Sequence, residues 1–121
     1  MKIVHQEDRF KDLKNQLEGD FNWDKSTLIQ YATDASTYRE IPIAVALPKT
    51  KDDLTKLISF AKKYKIPIIP RAAGTSLAGQ VVGNGIIVDI SRYWGKIIEV
   101  NSNEHWVRVE SGVILDELNL P

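Results

Sequence analysis

The sequence predicts an α+β domain: a β-α-β unit with a small mixed sheet flanked by helices. Three observations carry this. Ile43-Ala44-Val45-Ala46-Leu47 is apolar without interruption, the pattern of a strand buried on both faces. An amphipathic segment follows it directly. Two further apolar runs, Ile66-Pro67-Ile68-Ile69 and Ile86-Ile87-Val88-Asp89-Ile90, are then separated by a loop of small residues, Pro70 to Gln80.

Taken in order, residues 5–19 read as a helix. Phe10, Leu13 and Leu17 share one face, and Gly19 stands where a C-cap belongs. The stripe is thin, so this helix needs a partner surface that the local pattern does not identify. Asp24 or Ser26 caps a short helix through Leu28, Ile29 and Tyr31. Residues 34–40 are polar and irregular. Pro48 ends the first strand, and Thr50 or Lys51 opens the clearest helix. There Asp52 and Asp53 face the positive end of the dipole. Leu54, Leu57, Ile58 and Ala61 keep helical spacing, and Lys62, Lys63 and Lys65 load the C-terminal end as a solvated face. The strand at 66–69 completes the β-α-β unit, whose crossover is expected to be right-handed. Ile97-Ile98-Glu99-Val100 and Trp106-Val107-Arg108-Val109 pair antiparallel around Asn101-Ser102-Asn103-Glu104. A last helix begins near Asp116, with Leu118 and Leu120 on its inner side.

The loop is the candidate site. It leaves the carboxyl end of a parallel strand, where α/β sheets hold ligands. Gly74 and Gly79 can take positive φ and admit a close neighbour. Successive N–H groups in such turns form an anion-binding concavity. Thr75 and Ser76 add hydroxyls, and Arg71 adds a charged fork suited to phosphate. Two readings stay open: a phosphate-holding loop, and a structural turn crowded against a neighbouring element. Neither G-x-x-x-x-G-K-[ST] nor a helix-opening G-x-G-x-x-G occurs.

Composition narrows the classes. Sixteen basic and sixteen acidic residues cancel in 121, which gives no nucleic-acid footprint and no affinity for an anionic membrane. Without cysteine there is no disulfide framework, thiol catalysis or zinc-thiolate site. His5 and His105 lack ligand spacing. No stretch approaches the ~18 apolar residues of a membrane span. The early acidic residues Glu7 and Asp8 preclude a signal-peptide core, so a cytoplasmic protein is expected.

Pro70-Arg71-Ala72-Ala73-Gly74-Thr75-Ser76-Leu77-Ala78-Gly79 resembles the pyrophosphate loop of the FAD-linked oxidases of the PCMH/vanillyl-alcohol-oxidase type. These include the glycolate oxidase flavoprotein subunit and the D-lactate and D-2-hydroxyglutarate dehydrogenases. Ala72 and Ala73 stand where glycines are common. Asp34-Ala35-Ser36-Thr37-Tyr38, Pro42 and Val45-Ala46-Leu47-Pro48 are similar to the family's entrance segment, and Val109-Glu110-Ser111-Gly112-Val113 to its V-x-x-G-V segment. The resemblance covers residues 24–121.

It implies a first FAD-binding subdomain over residues 33–121, preceded by a helical segment over 1–32 and cut short at its end, as in an N-terminal piece of a longer enzyme. It implies FAD held by Pro70, Arg71, Ala72, Ala73, Gly74, Thr75 and Ser76 at the pyrophosphate, with Gly79 and Gln80 lining the cofactor and Gly112 allowing close approach. Asp34 and Tyr38 are weaker contact candidates. Thr75 stands where covalently flavinylated relatives carry histidine, so FAD is expected to be non-covalent. The implied activity is oxidation of a small-molecule 2-hydroxy-acid-type substrate by hydride transfer to the flavin. No catalytic residue is assigned, because the family's base and carboxylate clamp lie outside this chain. Trp94 and Trp106 are expected as core or edge aromatics rather than flavin stackers. The alternatives are a non-catalytic α/β module that binds another phosphorylated ligand, and a purely structural piece. An incomplete sheet is also expected to self-associate.

Overall fold

The computed structural model describes residues 2–34, 39–76 and 79–118. In chain order it contains α1 (Lys2–Gln16), β1 (Asp20–Asn22), α2 (Lys25–Gln30), β2 (Ala44–Leu47), α3 (Lys51–Tyr64), β3 (Ile68–Arg71), β4 (Ile86–Asp89), β5 (Ile97–Asn101), β6 (Trp106–Val109) and α4 (Leu115–Leu118).

Four strands form a mixed sheet in the order β1-β2-β4-β3. β4 is parallel to both β2 and β3, and β1 runs antiparallel to β2. The β-α-β unit is therefore present, but its two strands are not neighbours, because β4 lies between them. All four residues of β4 are buried. A strand that apolar gains most from a central place, with both faces and both edges covered.

The core lies on one face of this sheet. Ala44 and Ala46 of β2 and Ile86 and Val88 of β4 meet Phe10 and Leu13 of α1, Phe21 of β1 and Leu57 of α3. Phe10 is the hub: its ring centroid lies 5.3 Å from Phe21, 5.4 Å from Trp23 and 5.9 Å from Phe60. The thin stripe of α1 thus finds its partner in α3 and β1. Val45 and Ile87, which alternation turns to the other face, are also fully buried.

Several boundaries and one strand differ from the sequence reading. α1 ends at Gln16, short of Gly19. A Cβ on Gly19 would stand 2.1 Å from the Leu47 carbonyl oxygen, so this glycine permits a backbone crossing rather than a cap. β1, too short to show an alternating pattern, went unread in the sequence. β3 runs through Pro70 to Arg71, two residues beyond the expected end, because Pro70 and Arg71 pair with Val88 and Asp89. Proline is tolerated there because β3 is an edge strand.

α3 starts as expected. The Thr50 side chain accepts the Asp53 N–H at 3.0 Å. It ends on Lys65 in the left-handed conformation, φ 55°, a position where glycine is more usual. β5 and β6 form their own two-stranded antiparallel sheet. Ile97, Ile98 and Val100 are more than half exposed on it.

Candidate functional site: the loop after β3

The loop leaves the carboxyl end of β3 beside the carboxyl end of β4. Gly74 and Gly79 both adopt φ +72°, the left-handed turns that their lack of Cβ allows. Ala72, Ala73 and Thr75 line a groove of ≈ 340 Å³ opposite Gly112, Val113, Ile114 and Leu115. Two segments nearly forty residues apart thereby share one concavity.

The expected residues are not equivalent in it. Ala72, Ala73 and Thr75 are exposed toward the groove, and Pro70 is exposed on the edge strand. The Ser76 hydroxyl donates to the Gln80 Oε1, and the Gln80 N–H donates back to the Ser76 Oγ at 3.3 Å. Ser76 and Gln80 therefore close the loop on itself. Gly112 lines the groove, yet its bare Cα serves the protein's own backbone. A Cβ there would meet the Trp94 oxygen at 2.5 Å and the Ile90 oxygen at 2.6 Å, and the Gly112 N–H donates to Trp94 O at 2.7 Å. Trp94 is a half-buried anchor whose Nε1 donates to Pro48 O at 2.9 Å. Trp106 lies on the exposed hairpin. Leu77, Ala78 and Tyr38 lie outside the described residues. Asp34 is half-buried.

Arg71 takes a position that the sequence did not suggest. Its Nη1 donates to Thr33 O at 2.8 Å, and its Cζ lies 5.1 Å from the centroid of the Tyr31 ring. Gly74 rests against it as well: a Cβ there would approach Nη2 to 2.6 Å. The guanidinium is thus packed between the end of α2 and the loop.

Behind it stands a polar network missed in the sequence reading. Asp89, the last residue of β4, is only 6 % exposed. Its Oδ2 accepts the Tyr31 hydroxyl at 2.6 Å, and its Oδ1 accepts the Ser91 N–H at 2.8 Å and the Ser91 hydroxyl at 2.6 Å. Burial, then the hydrogen bond and charge of Asp89, push the Tyr31 phenol up to about 12. The available signal was an acidic residue ending an otherwise apolar strand. An acid there must find donors once buried.

The donor set fits a diphosphate. On one wall of the groove stand only the small residues Ala72, Ala73 and Thr75, with its hydroxyl, and the left-handed turn at Gly74 lies beside it. Its volume is at the small end of the roughly 300–1,000 Å³ usual for small-molecule sites, enough for part of a dinucleotide and not for the whole.

A family model described as an FAD binding domain matches residues 42–120. The chain belongs to this family. It is 41% identical over 116 residues to D-2-hydroxyglutarate dehydrogenase of Haemophilus influenzae, covering 93% of this chain and 11% of that protein. It is 31% identical over 111 residues to glycolate oxidase subunit GlcD of Bacillus subtilis, covering 86% of this chain and 24% of that protein. Among solved structures, alkyldihydroxyacetonephosphate synthase matches with a TM-score of 0.75 at 22% identity, over 92% of this chain and 25% of that one. p-Cresol methylhydroxylase matches with a TM-score of 0.73 at 17% identity, over 93% of this chain and 23% of that one. The fold is thus that of the PCMH-type FAD-binding domains. The chain spans about a tenth to a quarter of the length of these relatives. Among the described residues no helix is long and apolar enough to cross a membrane.

Proposed function

We propose that this chain is the first part of the FAD-binding domain of a flavoprotein oxidoreductase acting on a 2-hydroxy acid, and that it holds FAD non-covalently through the loop after β3. The observation that carries the proposal is the groove between Ala72, Ala73 and Thr75 on one side and Gly112 to Leu115 on the other, beside the left-handed turn at Gly74. The substrate class is supported by the relatives' names: D-2-hydroxyglutarate, glycolate and D-lactate are all 2-hydroxy acids. When bound, FAD supplies an acceptor for the hydride on the substrate carbon.

The residues of this chain bind and orient. The backbone N–H groups around Gly74 and the Thr75 hydroxyl receive the diphosphate oxygens. Ala72 and Ala73 keep that wall low enough for the backbone to approach. Val113, Ile114 and Leu115 offer apolar surface on the opposite wall. The Thr75 hydroxyl is a far weaker nucleophile than the imidazole that covalently flavinylated relatives carry there, so acid precipitation should release any flavin intact.

The test is an absorbance scan across the flavin bands after incubation of the purified chain with excess FAD and desalting. Retained flavin supports the proposal. Gly74→Val should then abolish retention, because a β-branched residue resists φ +72° and its Cβ would meet Arg71 Nη2 at 2.6 Å. Undiminished retention by Gly74→Val would refute the loop as the diphosphate site. The groove's limited volume also favours a second reading, a module for a smaller phosphorylated ligand. Thermal stabilisation by pyrophosphate without flavin retention would select it.

A further inference from the structure

Arg71 is the only cation of the candidate loop, and it is the residue that charge alone would assign to the phosphate. The geometry points to a different role. We infer that Arg71 is a positioning residue, a brace inserted between Tyr31, Thr33 and Gly74 that holds the turn in its ligand-binding form, while neutral donors take the diphosphate. This rests on the reading that the loop faces the diphosphate of FAD.

Four contacts support it. The guanidinium lies over the Tyr31 ring, with Cζ 5.1 Å from the centroid, within cation–π range. Nη1 donates to the Thr33 carbonyl at 2.8 Å. The Gly74 Cα lies so close that an added Cβ would meet Nη2 at 2.6 Å and Nε and Cζ at 3.1 Å. The ring over which it lies is itself pinned, its hydroxyl donating to the buried Asp89 at 2.6 Å. Asp89 and Arg71 are register partners across β4 and β3, and the Ile90 N–H donates to Arg71 O at 2.9 Å. The backbone of Arg71 is thus fixed by the sheet and its side chain by the end of α2. Gly74, three residues on, has to pass over a rigid plane.

A flat guanidinium can stack and donate in its own plane at once. A lysine ammonium keeps the charge and loses the plane. The two roles therefore separate in Arg71→Lys. A phosphate contact is a charge effect, which lysine largely preserves. A brace is a shape effect: lysine has no plane that covers Tyr31, donates to Thr33 O and supports Gly74 at once, and methionine has neither the plane nor a donor.

The first readout needs no cofactor. In ¹⁵N relaxation of the whole chain without FAD, wild-type order parameters at Gly74, Thr75 and Ser76 should be about 0.85, those of rigid backbone, and should fall below about 0.6 in both Arg71→Lys and Arg71→Met. Amides of α3 should be unchanged, which shows that the fold survives. The second readout is FAD retention, which the two variants should lose to the same extent. Loop order unchanged in Arg71→Lys, with FAD retention kept by lysine and lost with methionine, would overturn the brace and return Arg71 to the phosphate. If both variants loosen the loop while the wild-type chain and a longer chain alike bind no FAD, the brace stands and the cofactor reading falls.

Discussion

Replacing Asp53 tests the junction that sets the whole sheet in place. Asp53 lies in the first turn of α3 and is 1 % exposed. Among the described residues no cation pairs with its carboxylate. Instead Oδ1 accepts the Glu18 N–H at 2.9 Å, and Oδ2 accepts the N–H groups of Gly19 and Lys49, each at 2.9 Å. One side chain thus joins the α1–β1 turn to the β2–α3 turn. Burial pushes its pKa up, but donation from the Lys49, Glu18, Gly19 and Thr50 backbone outweighs that and holds it below the usual carboxylate value. Hydrogen bonds to a charged group contribute about 1.5–3 kcal/mol each. Water entering the vacated site recovers part of that, so Asp53→Ala should cost about 3–5 kcal/mol. At roughly 4 °C per kcal/mol for a domain of this size, the midpoint should fall by about 12–20 °C. Asp53→Asn keeps one acceptor and turns an NH₂ toward a donor, so its loss should be intermediate.

Urea titration followed by tryptophan fluorescence measures both variants. The pH dependence adds a second check. A depressed carboxylate contributes stability that is present above its unfolded pKa, about 3.9, and is lost as pH falls through its lower folded value. The gap between wild type and Asp53→Asn should therefore be constant near neutrality and close in acid. An Asp53→Ala variant within about 1 kcal/mol of wild type, with no such closure, would refute the reasoning.

Tyr31→Phe removes the hydroxyl that satisfies Asp89 and should cost about 1–3 kcal/mol. In wild type the raised Tyr31 pKa means that stability is intact below pH 10 and declines as pH rises toward about 12. Alkaline denaturation of the variant should lack that component, and identical curves would show that the Tyr31–Asp89 bond carries no weight. Gly19→Ala places a Cβ 2.1 Å from the Leu47 oxygen and should destabilise by about 1–3 kcal/mol in thermal melts. Its effect should be less than additive with Asp53→Ala, because Gly19 also donates to Asp53. The β5–β6 hairpin leaves Ile98 60% and Val100 67% exposed. We expect it to pair copies of this chain at high concentration, and Ile98→Lys with Val100→Lys to return sedimentation to the monomer. A monomeric wild type would contradict this.

What the sequence by itself determined is local. The unbroken apolar run at 43–47, the spacing of Leu54, Leu57 and Ala61, the Thr50 cap and the glycines of the loop each follow from backbone and burial preferences within a few residues. These elements stand within a residue or two of their expected bounds. The left-handed turns at Gly74 and Gly79 were legible because only glycine adopts them freely.

What the tertiary structure decided depends on residues far apart in the chain. β4 enters between β2 and β3 because burial of a strand on both faces is a property of the assembled sheet. Gly19 serves a crossing because Leu47 arrives there, and Asp53 is an acceptor because Glu18, 35 residues earlier, turns its N–H inward. The direction of Arg71 is the same kind of fact. Its charge and place in the loop suggest a phosphate ligand, but Thr33, 38 residues earlier, offers a carbonyl, and Tyr31 offers a flat face already fixed by Asp89. A side chain's partners are set by whatever the fold brings within hydrogen-bonding distance. Sequence patterns report preferences of the backbone and of burial, and carry no record of those approaches.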